Sequence, residues 1–144
     1  MEINGMAHVI LSVGDFARAR EFYGALLPFL GMKPVIDSPE YYYCVGGRTA
    51  LGLRPATGEH VGERFVQARS GLHHLCFRMR AREDVDALHT FLVSRRAAIV
   101  HAPQEEPWAP GYYSVLFEDP DGIRLEANFV PGRGLLEPGA VRGS

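Results

Sequence analysis

Two histidines and one glutamate carry residue types from which a metal centre can be built. They are His8 in "AHVILSV", His74 in "GLHHLCFRM" and Glu126 in "GIRLEANFV". Two neutral imidazoles and a carboxylate suit a borderline divalent ion: zinc, manganese, iron(II), nickel or cobalt. Three protein ligands leave coordination positions for water or substrate, as a catalytic site requires. Such an ion acts as a Lewis acid on a substrate oxyanion or enolate, or binds oxygen if it is iron(II). Taken singly, each histidine is more often a hydrogen-bonded structural residue, and a lone glutamate on a polar strand face is usually solvated. What sets these three apart is where the chain repeats and which way each strand faces.

A second group sits near them. In "EEPWAPGYYS", Trp108 and the Pro-Gly pair precede Tyr112 and Tyr113. Trp108 is a substrate-binding candidate as part of a lid. Tyr112 and Tyr113 are the catalytic candidates, since one of them should face the site and hydrogen-bond or protonate a substrate oxygen. The competing reading for each is an aromatic ring filling core space, and Tyr41 to Tyr43 carry the same ambiguity. Arg78, on the His74 face, either pairs with an anionic substrate or reaches solvent.

The elements that must position these residues follow from hydrophobic period. "MAHVILSV" reads as a strand. "DFARAREFYGALLPFLG" switches to helical spacing, with Asp15 placed to cap it and Gly31 to end it. "MKPVI", "YYYCV" and "RTALGLR" read as strands, the last two joined by Gly46-Gly47. Residues 56–70 lose the apolar period and read as a linker with a short helix at its end. The order then repeats. "LHHLCFRM" is a strand, and "REDVDALHTFLVSRR" a helix with acids in its first turn and arginines in its last. "AAIVHA", "GYYSVLFE" and "GIRLEANFV" are strands, with "DPDG" as a turn in which Asp119 and Asp121 are turn formers. Residues 6–55 and 71–130 are thus two copies of one β-α-β-β-β unit within a single domain, and 131–144 is a C-terminal tail.

Alternation along a strand assigns the faces. Ala7, Val9, Leu11 and Val13 form one apolar face, so His8 looks the other way with Ile10 and Ser12. His74 goes with Cys76 and Arg78, and its neighbour His73 with Leu75, Phe77 and Met79 on the apolar side, as a core-side or sheet-edge histidine. Glu126 shares the polar face of its strand with Arg124 and Asn128. If both modules lay their helices on one side of a curved sheet, His8, His74 and Glu126 point into the concave side, a natural ligand pocket.

Bulk properties exclude several classes. The 144 residues carry 15 basic and 17 acidic side chains, scattered rather than clustered, which gives no footprint for nucleic acid and no polybasic membrane patch. No apolar run approaches the ~20 residues of a membrane span, and the start lacks a signal-peptide layout, so a cytoplasmic protein is expected. Cys44 and Cys76 lack metal-clip spacing and are expected as buried thiols. His60, His89 and His101 read as surface residues.

Together, "HVILSVGDFARAREFYGALLPFLGM", "GLHHLCFRM" and "YYSVLFEDPDGIRLEANF" resemble the vicinal oxygen chelate superfamily over about residues 6 to 130. That superfamily spans glyoxalase I, extradiol dioxygenases, methylmalonyl-CoA epimerase, fosfomycin-inactivating enzymes and bleomycin-binding resistance proteins. The resemblance implies an α+β fold of two tandem βαβββ modules forming an open, U-shaped mixed sheet with helices outside. It also implies a homodimer in which modules pair within a chain or exchange, a small-molecule substrate, and a divalent metal held by His8, His74 and Glu126. Four-ligand members hold a further ligand in module one. Setting Gly46-Gly47 against Asp121-Gly122 puts Leu51 there, flanked by Ala50 and Gly52, none of which binds metal. The remaining set resembles that of extradiol dioxygenases and fosfomycin enzymes. The implied activity is lyase or isomerase chemistry on a chelated substrate. The alternatives are an iron(II) extradiol-type dioxygenase and a non-catalytic protein that sequesters a drug or aromatic ligand.

Overall fold

In each repeat the helix packs an apolar stripe against the sheet of the same repeat. A computed structural model of the chain describes residues 1–136. The chain divides into a first unit, Met1–Phe65, and a second that begins at Val66. The boundary lies within the 56–70 segment, which holds a single 3₁₀ turn, Gly58–His60, nearer its beginning than its end. The expected tail, 131–144, lies outside the described residues beyond Leu136; its first part contains a 3₁₀ turn, Gly134–Leu136.

In the first unit, β1 (Val9–Val13) is followed by α1 (Phe16–Phe29), β2 (Lys33–Ser38), β3 (Tyr41–Gly46) and β4 (Thr49–Pro55). The sheet runs β1-β4-β3-β2, with β1 parallel to β4 and the other pairs antiparallel. At the start of α1 the Asp15 carboxylate accepts from the Arg18 N–H at 3.0 Å, satisfying a donor that a helix start leaves free. Beyond its end Gly31 takes a φ of 79°, a conformation that favours glycine. Ala19, Tyr23, Leu26 and Leu27 are buried along one stripe, on the sheet face that carries Leu11, Val13, Tyr42, Cys44 and Leu53. Each buried leucine stabilises by roughly 1.5–3 kcal/mol, so packing rather than helix propensity fixes α1. Arg20 adds an ion pair to Asp37 of β2, and that hydrogen-bonded guanidinium holds the carboxyl below its usual range.

The second unit repeats the plan: β5 (Leu75–Arg78), α2 (Arg82–Ser94), β6 (Ala98–Glu105), β7 (Tyr113–Glu118) and β8 (Arg124–Phe129). Its sheet runs β5-β8-β7-β6, with β5 parallel to β8. Asp84 accepts from the Ala81 N–H at 3.0 Å at the start of α2. Val85, Leu88 and Leu92 of α2 are buried, as are Val115, Phe117, Leu125 and Ala127 of the sheet. The Tyr113 hydroxyl donates to Asp86 at 2.7 Å, and the Arg82 guanidinium lies 3.7 Å over the Tyr113 ring, which ties β7 to α2. Both units are therefore βαβββ modules, each a four-stranded mixed sheet backed by one helix. Among the described residues no helix is long and apolar enough to cross a membrane.

Three expectations are corrected. The strands begin at Val9 and Leu75, later than Met6 and Leu72, so His8 and His74 stand just ahead of their ladders. Each is an outer strand of its four-stranded sheet, bonded on one side, and its end frays. For the same reason His73, expected on the core side or at the sheet edge, lies exposed at the edge and not in the core, since alternation binds only residues inside the strand. Finally, Cys44 is buried but Cys76 is exposed, both as free thiols, because Cys76 faces away from α2.

The "DPDG" turn rests on one carboxylate. Asp119 Oδ1 accepts from the N–H groups of Asp121 and Ile123, each at 2.8 Å, and both aspartates are buried. Asp119→Ala leaves those donors without their acceptor and should lower stability by about 2–3 kcal/mol. Asp119→Asn, which keeps an acceptor oxygen, should lose less. Urea unfolding of the two variants checks the order.

Candidate functional site

The face of the second sheet opposite α2 is laid out in rows by the strand register. Cys76 pairs with Glu126, Glu126 with Leu116, and Leu116 with His101; the next row holds Arg78, Asn128, Ser114 and Gln104. His74 stands immediately ahead of β5, and Tyr112 immediately ahead of β7.

Glu126 is the buried carboxylate of this face, at 9 % exposure, and a buried charge requires partners. Its Oε1 accepts from the Tyr112 hydroxyl at 2.6 Å. Its Oε2 lies 3.3 Å from His74 Nε2. Burial, and then the hydrogen bond to Glu126, push the Tyr112 phenol well above the usual tyrosine range, so at neutral pH the hydroxyl is a protonated donor. The other ring nitrogen of His74, Nδ1, lies 2.8 Å from Nδ1 of His73, which lies 3.3 Å from Gln67 Nε2. One of the two facing Nδ1 atoms must carry the proton between them. His74 and Glu126 thus each have one atom tied to a neighbour and a second, Nε2 or Oε2, beside the other. Such outer partners fix ligand orientation and tautomer in metal sites.

Cys76 borders Glu126 in the same row. Part of its surface meets solvent, yet protein packed around the sulfur, and then the Glu126 charge, push its thiol up to about 12. It stands there as a neutral thiol. His101, expected on the surface, is a partly buried member of the same face, with Nε2 3.6 Å from Glu106 Oε1.

In the first unit the face opposite α1 carries His8 and Ile10. The His8 and Tyr43 rings meet edge-on at 6.4 Å between centroids. Ile10 pairs with Gly52, Gly52 with Tyr43, and Tyr43 with Ile36. The residue after the histidine pairs with Leu51 in this module and with Leu125 in the other. The counterpart of Glu126 is therefore Gly52, not Leu51 as alignment of the turns suggests. The turns differ in length: Gly46 pairs with Thr49 across two residues, whereas Glu118 pairs with Arg124 across five.

The candidate residues separate as follows. His74, Glu126 and Tyr112 come together on one face, with Arg78 one row away. Tyr113 turns to the helix side and bonds Asp86. Trp108 is 67 % exposed in the turn between β6 and β7. His8 belongs to the first unit. Among the described residues no three His, Cys, Asp or Glu side chains form a group able to hold one ion. Sequence reasoning missed the parts played by His73 and Gln67, and that of Asn128 beside Tyr112; the histidine doublet and the place of Asn128 on the Glu126 face were the visible signals.

Residues 5–127 match the profile of the Glyoxalase/Bleomycin resistance protein/Dioxygenase superfamily. An uncharacterized protein of Bacillus subtilis (strain 168), YqjT, is 30 % identical over 123 residues, covering 84 % of this chain and 95 % of that protein. A solved Bacillus halodurans protein, provisionally described as a glyoxalase, is 28 % identical with a TM-score of 0.77, covering 88 % of this chain and 96 % of that one. The lactoylglutathione lyase structure from Agrobacterium tumefaciens, 23 % identical with a TM-score of 0.66, covers 90 % and 96 % and shows the fold alone.

The two adjacent tyrosines should respond differently to loss of the hydroxyl. Tyr112→Phe leaves Oε1 of the buried Glu126 unbonded and should cost about 1–3 kcal/mol. Tyr113→Phe releases the more accessible Asp86 carboxylate, which water can re-solvate, and should cost less. Denaturant midpoints of both variants test this, and equal losses would contradict it.

Proposed function

This chain belongs to the Glyoxalase/Bleomycin resistance protein/Dioxygenase superfamily, and from that premise we propose that it is a metal-dependent enzyme using His8, His74 and Glu126 as ligands. The observation that carries the reading is the paired restraint of His74 and Glu126: His73 holds one ring nitrogen, Tyr112 holds one carboxylate oxygen, and the remaining donors lie 3.3 Å apart. The donor set fits a borderline divalent ion of the zinc, manganese, iron(II), nickel or cobalt type. A bound ion would supply Lewis-acid activation of substrate oxygens.

The protein's own residues do the rest. His73 and Gln67 set the orientation of the His74 ring. Tyr112, held as a neutral phenol, positions Glu126 through its one proton, and its proposed catalytic role is to redirect that proton to hydrogen-bond or protonate a substrate oxygen. Arg78 and Trp108 are the proposed contacts to the non-reacting part of a small oxygenated substrate. Gly52, at the counterpart of Glu126, leaves a donor set with one negative charge instead of two. A divalent ion held by that set would keep a net positive charge and would favour an anionic oxygen from the substrate. Lyase or isomerase chemistry is the preferred reaction, because a single pair of modules is the smaller plan. Ring-opening oxygenation with iron(II), or sequestration of an aromatic ligand without chemistry, are the alternatives. A cytoplasmic homodimer, with His8 coming from the same chain or from a second copy, completes the proposal.

Metal analysis of protein stripped with chelator and reloaded tests the reading. One ion per chain is expected, lost in His8→Ala, His74→Ala and Glu126→Ala. Affinity should fall about 10- to 100-fold in His73→Ala and Tyr112→Phe. Protein that takes up none of the five ions and still binds aromatic ligands would contradict the enzyme and support sequestration. Oxygen uptake by iron(II)-loaded protein given catechol would select the dioxygenase.

A further inference from the structure

The open faces of the two sheets differ in chemistry. That of the second is polar, with His74, Glu126, Arg78 and Asn128. That of the first is aromatic and aliphatic: Ile10, Gly52, Tyr43 and Ile36 form its central row. Tyr41 and Tyr43 lie 5.6 Å apart between ring centroids, and the Arg54 guanidinium sits 4.2 Å over Tyr41. Ile10 and Ile36 are exposed at 38 % and 39 %, although an isolated surface isoleucine needs no account and a paired row does.

Gly52 explains how the row is made. A Cβ there would come within 2.6 Å of Ile10 Cδ1, 2.8 Å of Tyr43 Cδ2 and 3.1 Å of Tyr41 Cε2. Its backbone is not in the left-handed region, so glycine is present for space. Three side chains settle over the missing one, with the Tyr41 and Tyr43 rings tilted 45° to each other. The strand positions on this face include two cations, Lys33 and Arg54, and no carboxylate; Asp37 is turned to Arg20 on the helix side. Strand rise puts the His8 end and the Arg54 end about 13 Å apart, the scale of a small ring system with a charged substituent.

We propose that this face seats a planar, anionic aromatic molecule, with Ile10, Tyr41 and Tyr43 over Gly52 as its floor and Arg54 facing its negative charge. The inference deepens the metal-enzyme reading in one respect, since His8 on the same face marks the reacting end; the seat itself needs no metal.

The probe is 2-naphthoate, added to chelator-treated full-length protein with ¹³C-labelled isoleucine methyls. Ring currents should move the Ile10 and Ile36 methyl signals on titration, while cyclohexanecarboxylate leaves them nearly unmoved. Tyr43→Ala should weaken binding about 3- to 10-fold, the scale of a lost aromatic contact. Arg54→Gln should weaken 2-naphthoate but not 2-naphthol. In Gly52→Ala the Ile10 methyl signal should already be displaced before ligand is added. His74→Ala should retain naphthoate binding, so a failed metal site and a failed seat give different results. Unmoved methyls at saturating naphthoate, equal binding of the saturated ring, or methyls that respond to protein dilution and not to ligand would each overturn the proposal; the last would assign the face to a second copy of the chain.

Discussion

A buried carboxylate constrains everything around it. Glu126 sits inside β8 at low exposure, where an unsatisfied charge is not tolerated. Tyr112 answers one oxygen and His74 lies against the other, while His73 and Gln67 hold His74 from behind. These residues come from three places along the second unit. The β5–β8 ladder brings the first and last strands of the module side by side, and the β7–β8 hairpin brings Tyr112 in. Without that parallel pairing, residues 74 and 126 would not meet.

The same ladder geometry appears in the first unit and gives a different product. Duplication sets an identical frame, histidine just ahead of an outer strand and a strand paired in parallel beside it. One copy fills the position beside the strand with a carboxylate. The other leaves a glycine there, and neighbouring isoleucine and tyrosine side chains occupy the space. The rest of the row differs as well, Cys76, Leu116 and His101 in one module against Ile10, Tyr43 and Ile36 in the other, so one face is polar and the other aromatic and aliphatic. Fold similarity to a lactoylglutathione lyase does not carry that distinction, because it resides in side chains and not in the backbone.

Much of this was legible in the sequence because period and punctuation are local. Asp15, Gly31 and the "DPDG" turn act within a few residues of themselves, and the structure uses each as a cap, a stop or a turn. The face of Glu126 followed from alternation within one strand. Register did not, since it depends on turn length across a hairpin; hence Leu51 was set where Gly52 stands. The part played by His73 was hidden for a related reason. Alternation governs only residues inside a ladder, and the chain leaves the ladder before reaching it. Of the two tyrosines, which one faced the candidate site depended on where β7 begins relative to Asp86 of α2, a long-range contact.

Diffraction at the absorption edge of the ion, from crystals of protein loaded with zinc or cobalt, separates a metal centre from a purely structural His74–Glu126 pair. The proposed centre should give one anomalous peak about 2.0–2.2 Å from His74 Nε2, from a Glu126 oxygen and from a ring nitrogen of a His8, with the Tyr112 and His73 hydrogen bonds retained. A fully loaded crystal with its peak elsewhere, and with His74 and Glu126 still paired only to each other, would contradict it.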